Sequence, residues 1–252
     1  MTTTKRATAS KEPGAPRMVD RGLFQSELDA LRVREKAHTK EGDAITAARR
    51  RLPMVEVDAA TALIGECGSV RLLDAFEGCL MLIAYYFMWH AGHPAAEQCE
   101  GCSLYASQVR ELSFIHSRDV TYAVLCQGPY EESLRYRAFM GWEMPWYSAR
   151  GSLDTLLVGR RIGMFYLVCY LRQGSKVFET YWTTGRGVEA MDNSNALLDL
   201  TVYGRQERWE DSPSGWLRQD WTNPYRTRGR PIVQWPRVQG GHSDDLKSDS
   251  SR

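Results

Sequence analysis

The chain has 252 residues, of which 43% are hydrophobic and 25% are charged, an ordinary composition for a globular protein. Its 32 basic and 31 acidic residues give a net charge of +1, which argues against a general binder of nucleic acid or of anionic membranes. The longest apolar run, Cys79 to Trp89, is too short to cross a membrane, and the amino terminus has no apolar stretch typical of a secretory signal. We therefore expect a cytoplasmic protein with no nucleic-acid or membrane partner.

The amino-terminal part of the chain is predicted as a tail followed by a helical arm. Residues 1–20 are polar and contain two prolines, so a disordered tail is expected there. Residues 21–52 are predicted as the arm, in which Thr39 is a plausible N-cap for a second helix over Glu41 to Arg51. The first helix is indicated by an apolar stripe at i, i+4 and i+7, formed by Phe24, Leu28 and Leu31.

After Pro53 the pattern alternates between strands and helices. Val55 and Val57 indicate a short strand, and a hairpin is predicted around Gly65 to Gly68. The continuous apolar run from Leu80 to Met88 is typical of a strand buried on both faces. The further predicted elements are a helix starting near Cys99 to Ser103, a strand over Val120–Cys126, a helix from Gln127-Gly128-Pro129 to Gly141, a hairpin of Phe165–Leu171 and Val177–Trp182, and a helix over about Val188–Leu198.

This order of elements predicts the fold. Strand, helix, strand, helix at this spacing indicates βαβ units with a largely parallel core, and a hairpin and a helix then complete the thioredoxin order. We therefore predict an α/β, thioredoxin-like domain over residues 53–205, with a mixed central sheet flanked by helices. Residues 206–236 are predicted as a Trp-rich extension, and residues 237–252 as a disordered tail.

The segment Cys99-Glu100-Gly101-Cys102 carries the sharpest chemical signal. Two thiols at this spacing at a helix start can form a small disulfide, and the helix dipole stabilises a thiolate on the outer cysteine. A thiolate attacks disulfides, and the second cysteine then resolves the mixed disulfide. We predict Cys99 as the catalytic nucleophile and Cys102 as the resolving cysteine. Thiols and disulfides of proteins or small molecules would be the partners, with no cofactor beyond the redox-active disulfide.

Several strings in the chain also resemble one bacterial family. They are Leu52-Pro53-Met54-Val55, Phe87-Met88, Arg118-Asp119-Val120-Thr121, Gly141-Trp142-x-x-Pro145-Trp146, Arg186-Gly187-Val188-Glu189-Ala190 and Leu197-Leu198-Asp199-Leu200-Thr201. Over about residues 30–215 the chain is similar to the family catalogued as domain of unknown function 899. That family is classed as thioredoxin-like and labelled a predicted dithiol–disulfide isomerase, and its cysteine pair maps onto Cys99 and Cys102.

Two departures from the wider thioredoxin pattern make the domain resemble a peroxiredoxin-like variant. The strand at Phe165 is not preceded by a proline, and Arg160 and Arg161 lie there instead. Peroxiredoxins similarly have an arginine near this place, so either arginine is a candidate to lower the pKa of Cys99, although a solvated turn arginine is the alternative. The loop between Phe87 and Cys99 is also longer than in thioredoxin. A thiol peroxidase is therefore an alternative function.

A metal site is a second alternative. His90 and His93 precede Cys99 and Cys102 closely, and these four ligand types suit tetrahedral zinc, or copper. The usual zinc pattern instead places its histidine pair on a helix after a longer spacer. Zinc is therefore expected only in this alternative interpretation.

A non-catalytic interaction protein is the third class. The Trp-rich extension and the basic amino-terminal arm are possible partner surfaces, although such an extension more often packs over its own domain. Trp142 and Trp146 are candidates to line a substrate groove, with core packing as the alternative. Cys126 is a possible third redox thiol, but core packing is the stronger expectation. Extensions on a core of this kind weakly indicate a homodimer.

Overall fold

The computed structural model describes residues 13–219 and 222–247. They form two compact units, one made of the residues up to Lys40 with Ser194–Pro224, the other of Glu41–Asn193 with the residues from Tyr225 on. Within these described ranges, no helix has the length and apolar character that a membrane crossing requires. The predicted tails fall partly outside the described residues, at 1–12 and 248–252, as does Trp221 of the extension.

The elements follow one another in this order. The α-helices are α1 (Arg21–Arg49), α2 (Glu100–Gln108), α3 (Ser113–His116), α4 (Tyr130–Met140), α5 (Leu153–Leu156), α6 (Asn193–Leu198) and α7 (Trp235–Gln239). The strands are β1 (Val55–Val57), β2 (Ala62–Gly65), β3 (Gly68–Arg71), β4 (Met81–Phe87), β5 (Val120–Cys126), β6 (Trp146–Ser148), β7 (Tyr166–Gln173), β8 (Lys176–Thr183), β9 (Arg226–Thr227) and β10 (Arg230–Pro231). Short 3-10 helices lie at Leu72–Phe76, Ala95–Glu97, Arg150–Ser152, Gly185–Met191 and Ile232–Gln234.

The predicted helical arm is one helix rather than two. α1 runs without a break from Arg21 to Arg49, so the predicted cap at Thr39 is wrong. The Thr39 hydroxyl donates instead to the carbonyl of Glu35, at 3.0 Å, inside the helix. A threonine can satisfy its hydroxyl on the preceding turn in this way, and neither proline nor a left-handed glycine interrupts the run.

Eight strands form one sheet, in the order β1-β8-β7-β4-β5-β6-β2-β3. β4 and β5 pair in parallel, with α2 in the connection between them. β7 pairs antiparallel with β4, and β8 pairs antiparallel with β7. The four core strands thus lie in the order fourth, third, first, second, with the third reversed, which is the thioredoxin arrangement. The predicted α/β fold with a mixed central sheet flanked by helices is therefore confirmed.

Strand β6 was not predicted, although it completes the sheet. It pairs in parallel with β5, and Ser148 is also opposite Ile64 of β2. β6 therefore joins the β2–β3 hairpin to the core strands. A strand of only three residues gives too short a pattern to recognise in sequence.

The two faces of β4 bury two different clusters. Tyr85 and Phe87 pack with Cys102 and with aromatic residues of α4 and β6. Tyr86 and Ala84, on the opposite face, pack with residues of β2, α5 and β8. Because side chains alternate along a strand, groups in the two clusters lie on opposite sides of the sheet.

The carboxy-terminal part of the chain departs from its predicted pattern. The single helix predicted over about Val188–Leu198 is two pieces, since Asp192 adopts an extended backbone between the 3-10 helix and α6. In the segment predicted as a disordered tail, the structure places α7 at its start and buries Leu246 at 5% exposure in the same cluster as Cys102. An isolated apolar residue in a polar segment gives no periodic signal, so its burial was not visible in sequence.

Candidate functional site

Cys99 lies at the amino-terminal end of α2, where it serves as the N-cap. Its Sγ accepts the backbone N–H of Cys102 at 3.4 Å, and its thiol points to Met88 Sδ at 4.0 Å. The Cys99 side chain is half-buried, whereas Cys102 is completely buried. All six cysteines are free thiols. The pair therefore has one thiol that can be reached from solvent and one directly beneath it.

The two thiols have opposite pKa shifts. The side-chain hydrogen bond from Cys102 lowers the pKa of Cys99 against the opposing effect of burial, with further help from the N–H groups of Cys102 and Gly101. The neighbouring Glu100 carboxylate acts the other way and raises it. Burial raises the pKa of Cys102 far above that of an ordinary thiol, as does its bond to Cys99. The first thiolate of the pair therefore forms on Cys99.

Two buried tyrosines lie beneath the dithiol. Tyr85 of β4 and Tyr122 of β5 both carry hydroxyls that have no hydrogen-bonding oxygen or nitrogen among the described residues. Burial raises the pKa of both phenols, and the Cys102 thiol adds to the shift. Both phenols are therefore neutral, and they give the Cys102 thiol an uncharged, buried environment.

The loop before α2 is organised by a buried glutamine. Gln98 Nε2 donates to the carbonyls of His90 and His93, at 2.9 and 3.0 Å, and its Oε1 accepts the N–H of His90 at 3.0 Å. The side chain is fully buried, so the loop closes on it. This fixes the backbone that leads into Cys99.

The metal ligands proposed from sequence do not come together. His90 Nδ1 lies 2.8 Å from the carbonyl of Glu97, and His93 Nδ1 lies 2.7 Å from the Glu97 carboxylate. In the described part of the chain, no three His, Cys, Asp or Glu side chains are placed to hold a metal ion. The four-ligand site of His90, His93, Cys99 and Cys102 is therefore not assembled.

Neither arginine proposed to support Cys99 is placed to do so. The Arg160 guanidinium donates to Glu179 Oε2 at 2.6 Å, and its charge acts on Tyr86 and Tyr170, which belong to the cluster on the other face of β4. Arg161 is exposed, and its backbone binds the Tyr166 hydroxyl. The expectation failed because a residue near the start of β7 can face either side of the sheet.

Trp142 and Trp146 are core residues rather than the walls of a groove. They are 5% and 4% exposed, and their rings stack at a centroid distance of 5.6 Å. Their indole N–H groups donate to Ser107 and Ser133. Cys126 is likewise buried, and burial raises its pKa to about 12, so it carries no reactive thiolate near neutral pH.

Three partly exposed apolar residues pack against the cluster that contains Cys102, and Met88 among them has its Sδ 4.0 Å from Cys99 Sγ. Met88, Trp89 and Phe165 pack against the same cluster as Cys102 and remain partly exposed. Trp89 lies so close to Gly128 that a Cβ at that glycine would be 2.0 Å from the indole. Gln127 holds the loop before β7, because its side chain donates to the Met164 carbonyl and accepts the Gly163 N–H, each at 2.8 Å.

A residue from the carboxy-terminal segment binds the loop before α2. The Arg226 guanidinium donates to the carbonyls of Ala96 and Gln98, and to Glu100 Oε2 at 2.9 Å. Glu100 lies between the two cysteines in sequence, so this ion pair partly neutralises the charge that opposes a Cys99 thiolate. Sequence reasoning missed Arg226, which is separated from Glu100 by 126 positions.

A buried chain of hydrogen bonds reaches Cys99 from the same segment. Gln234 Nε2 donates to the carbonyl of Ala95 and to the Tyr136 hydroxyl, each at 2.7 Å. The Tyr136 hydroxyl lies 2.6 Å from Ser103 Oγ, which donates to the carbonyl of Cys99 at 2.7 Å. Fully satisfied buried networks of this kind fix geometry, so the chain holds the first turn of α2 in place.

Comparison with known proteins identifies a family, and solved structures show weak likenesses. The profile of the family described as "Bacterial protein of unknown function (DUF899)" matches residues 13–223. The comparison with curated proteins found no match. A thioredoxin from Wuchereria bancrofti is 16% identical, and the likeness covers 56% of this chain and 91% of that one with a TM-score of 0.36. The fold assignment rests on the order and direction of the strands.

Proposed function

The chain belongs to the bacterial family DUF899, whose function is unknown, and we propose that it is a thiol–disulfide oxidoreductase acting through Cys99 and Cys102. The observation that carries the proposal is the arrangement of the pair. A partly buried thiol with a lowered pKa caps α2, and a completely buried thiol lies one helical turn further on. This asymmetry is what nucleophile and resolving cysteines require.

The reaction follows from that asymmetry. The Cys99 thiolate attacks one sulfur of a substrate disulfide, and the other substrate sulfur leaves as a thiolate that takes a proton from water. The Cys102 thiol then loses its proton and attacks Cys99 Sγ. This releases the second substrate thiol and leaves a Cys99–Cys102 disulfide, so that two electrons have passed to the substrate. An external dithiol returns the pair to the reduced form.

Burial of Cys102 favours its role as the second nucleophile. Its raised pKa keeps it protonated until the mixed disulfide forms on Cys99. Met88 lies beside Cys99, and its cluster also holds the partly exposed Trp89 and Phe165; such apolar side chains suit an extended, partly apolar substrate such as an unfolded polypeptide. We expect a protein disulfide to react faster than glutathione disulfide.

The test is a redox titration of the reduced protein against glutathione or dithiothreitol buffers, read from the mass added by alkylation. We expect one two-electron transition between about −280 and −120 mV, the span of known dithiol enzymes. The intramolecular disulfide should be absent from Cys99→Ser and Cys102→Ser and should still form in Cys126→Ser, the matched control. In Cys102→Ser the mass should instead show a mixed disulfide between Cys99 and the buffer thiol.

Two assays separate this function from the alternatives. Insulin reduction without peroxide is expected of the wild type and should be lost in Cys99→Ser. Peroxide consumption that exceeds insulin reduction, or activity that survives in Cys102→Ser, would instead indicate a thiol peroxidase. Absence of any Cys99–Cys102 disulfide across the titration would refute the proposal outright.

A further inference from the structure

Two tyrosine hydroxyls are buried in the cluster that contains Cys102. Tyr85 of β4 and Tyr122 of β5 are 0% and 2% exposed, and both pack in that cluster. Neither hydroxyl makes an aligned hydrogen bond to any described residue. A buried hydroxyl without a partner has a desolvation cost that a phenylalanine at the same position does not have. Packing alone therefore does not favour a hydroxyl at either position.

The two tyrosines differ in how they meet the Cys102 thiol. The Tyr85 hydroxyl lies near enough for a side-chain hydrogen bond between the two groups to raise the pKa of Tyr85 and to lower that of Cys102. On Tyr122, Cys102 acts through its charge, without such a bond. A bond that favours an ionised thiol and a protonated phenol is one in which the phenol donates. Tyr85 is therefore placed as a donor to Cys102 Sγ.

A second donor meets the same sulfur. The backbone N–H of Met88 also lowers the pKa of Cys102 through a hydrogen bond, whereas burial and the neighbouring Cys99 raise it. Once Cys99 is joined to a substrate in a mixed disulfide, it carries no negative charge, so its electrostatic opposition to a Cys102 thiolate is lost. The two donors remain. The surroundings of Cys102 thus favour its thiolate most at the stage when the resolving reaction needs it.

We propose that the Tyr85 hydroxyl donates a hydrogen bond to Cys102 Sγ in the resolving step and thereby stabilises the attacking thiolate, an inference that rests on the proposed function and deepens it. In that step the Cys102 thiol loses its proton to water and its sulfur bonds to Cys99 Sγ. The bond from Cys99 to the substrate sulfur breaks, and the departing thiolate takes up a proton. Tyr85 keeps its own proton throughout, so it acts as a donor and not as an acid or a base.

The test observes the two attacks separately on the full chain, with dithiobis(nitrobenzoate) in excess as the probe. A Cys67→Ser background removes the exposed thiol. Attack by Cys99 releases one thionitrobenzoate, and attack by Cys102 on the mixed disulfide releases a second one. The second phase is intramolecular, so its rate does not depend on reagent concentration. Its loss in Cys102→Ser identifies it.

Tyr85→Phe should slow the second phase about three- to tenfold near neutral pH. A hydrogen bond to a charged group changes the thiolate population roughly ten- to hundredfold, and the greater nucleophilicity of a less acidic thiol offsets about half of that on a logarithmic scale. The deficit should narrow as the pH rises, because the thiol then ionises without the donor. The first phase should stay within about twofold. Tyr122→Phe, the matched control, should leave both phases unchanged.

The possible failures are distinguishable. An unchanged second phase in Tyr85→Phe, equal slowing in Tyr122→Phe, or a deficit that is the same at every pH would overturn the inference and leave the proposed function standing. Absence of a second phase that depends on Cys102 in the otherwise unaltered chain would overturn the proposed function, and the inference with it. Because the Tyr85 hydroxyl has no aligned partner in the reduced protein, Tyr85→Phe should also unfold at no lower a temperature than the wild type.

Discussion

The charge on Glu100 provides the sharpest test of how this site sets the reactivity of Cys99. The carboxylate raises the pKa of Cys99, and Arg226 partly neutralises it through a 2.9 Å ion pair. Glu100→Gln removes the negative charge and should stabilise the thiolate. Arg226→Met removes this counter-charge and should destabilise the thiolate. The two variants are therefore expected to act in opposite directions.

The magnitude follows from the exposure of the pair. Glu100 and Arg226 side chains are 25% and 24% exposed, so their charges act through a partly hydrated, intermediate dielectric. A single charge in such surroundings contributes on the order of 0.5–1 kcal/mol, or roughly two- to fivefold in the thiolate fraction below the pKa. Salt should reduce the effect.

The assay is the rate of alkylation of Cys99 in a Cys102→Ser background, followed from pH 4 to 10 at low ionic strength. The rate rises as pH passes the Cys99 pKa, so the profile should move to lower pH in Glu100→Gln and to higher pH in Arg226→Met. Glu111→Gln, the same change beyond the other end of α2, is the matched control and should leave it in place. A shift of the same sign in both variants would refute the electrostatic reasoning.

Two further predictions concern the packing that holds the site. Tyr136→Phe removes the hydroxyl that links Gln234 to Ser103 and should lower the free energy of unfolding by about 1–2 kcal/mol in urea titrations. The control, Tyr147→Phe, loses only a long 3.4 Å hydrogen bond to Glu77 and should change that free energy by less than about 0.5 kcal/mol. An equal loss in both would contradict the role of the buried chain. Gly128→Ala places a Cβ 2.0 Å from Trp89 and should cost about 1–3 kcal/mol, and unchanged stability and Trp fluorescence would refute that contact.

The dithiol was predictable because its signals are local. A buried run at Leu80 to Met88, a cysteine pair and a helical pattern lie within about one strand–helix unit of sequence. The structure has β4, an N-cap at Cys99 and α2 in that order. Apolar runs and turn residues likewise predicted β5 and the β7–β8 hairpin, because their periodicity reflects burial directly.

The sequence could not predict on which face of the sheet a side chain lies, nor which distant residues it contacts. The sequence places Arg160 shortly before β7 and Cys99 shortly after β4, and Arg160 pairs with Glu179 on the other side of the sheet from the dithiol. Arg226 and Gln234 bind the loop before α2 and its first turn, at sequence separations of 126 to 139 positions. A polar residue in an irregular segment has no periodicity to reveal such a contact.

The carboxy-terminal segment is therefore part of the proposed redox site. The thioredoxin order of strands and helices ends at α6, but the carbonyls of Ala95, Ala96 and Gln98 are held by Arg226 and Gln234. The residues from Tyr225 on also belong to the same compact unit as the sheet. A fragment that ended at residue 205 would keep every core strand and both cysteines, yet Glu100 would lose its Arg226 partner and Tyr136 its Gln234 donor. Because these contacts set the charge and the position of the first turn of α2, we expect the reactivity of Cys99 to depend jointly on the helix that carries it and on a segment more than one hundred residues away.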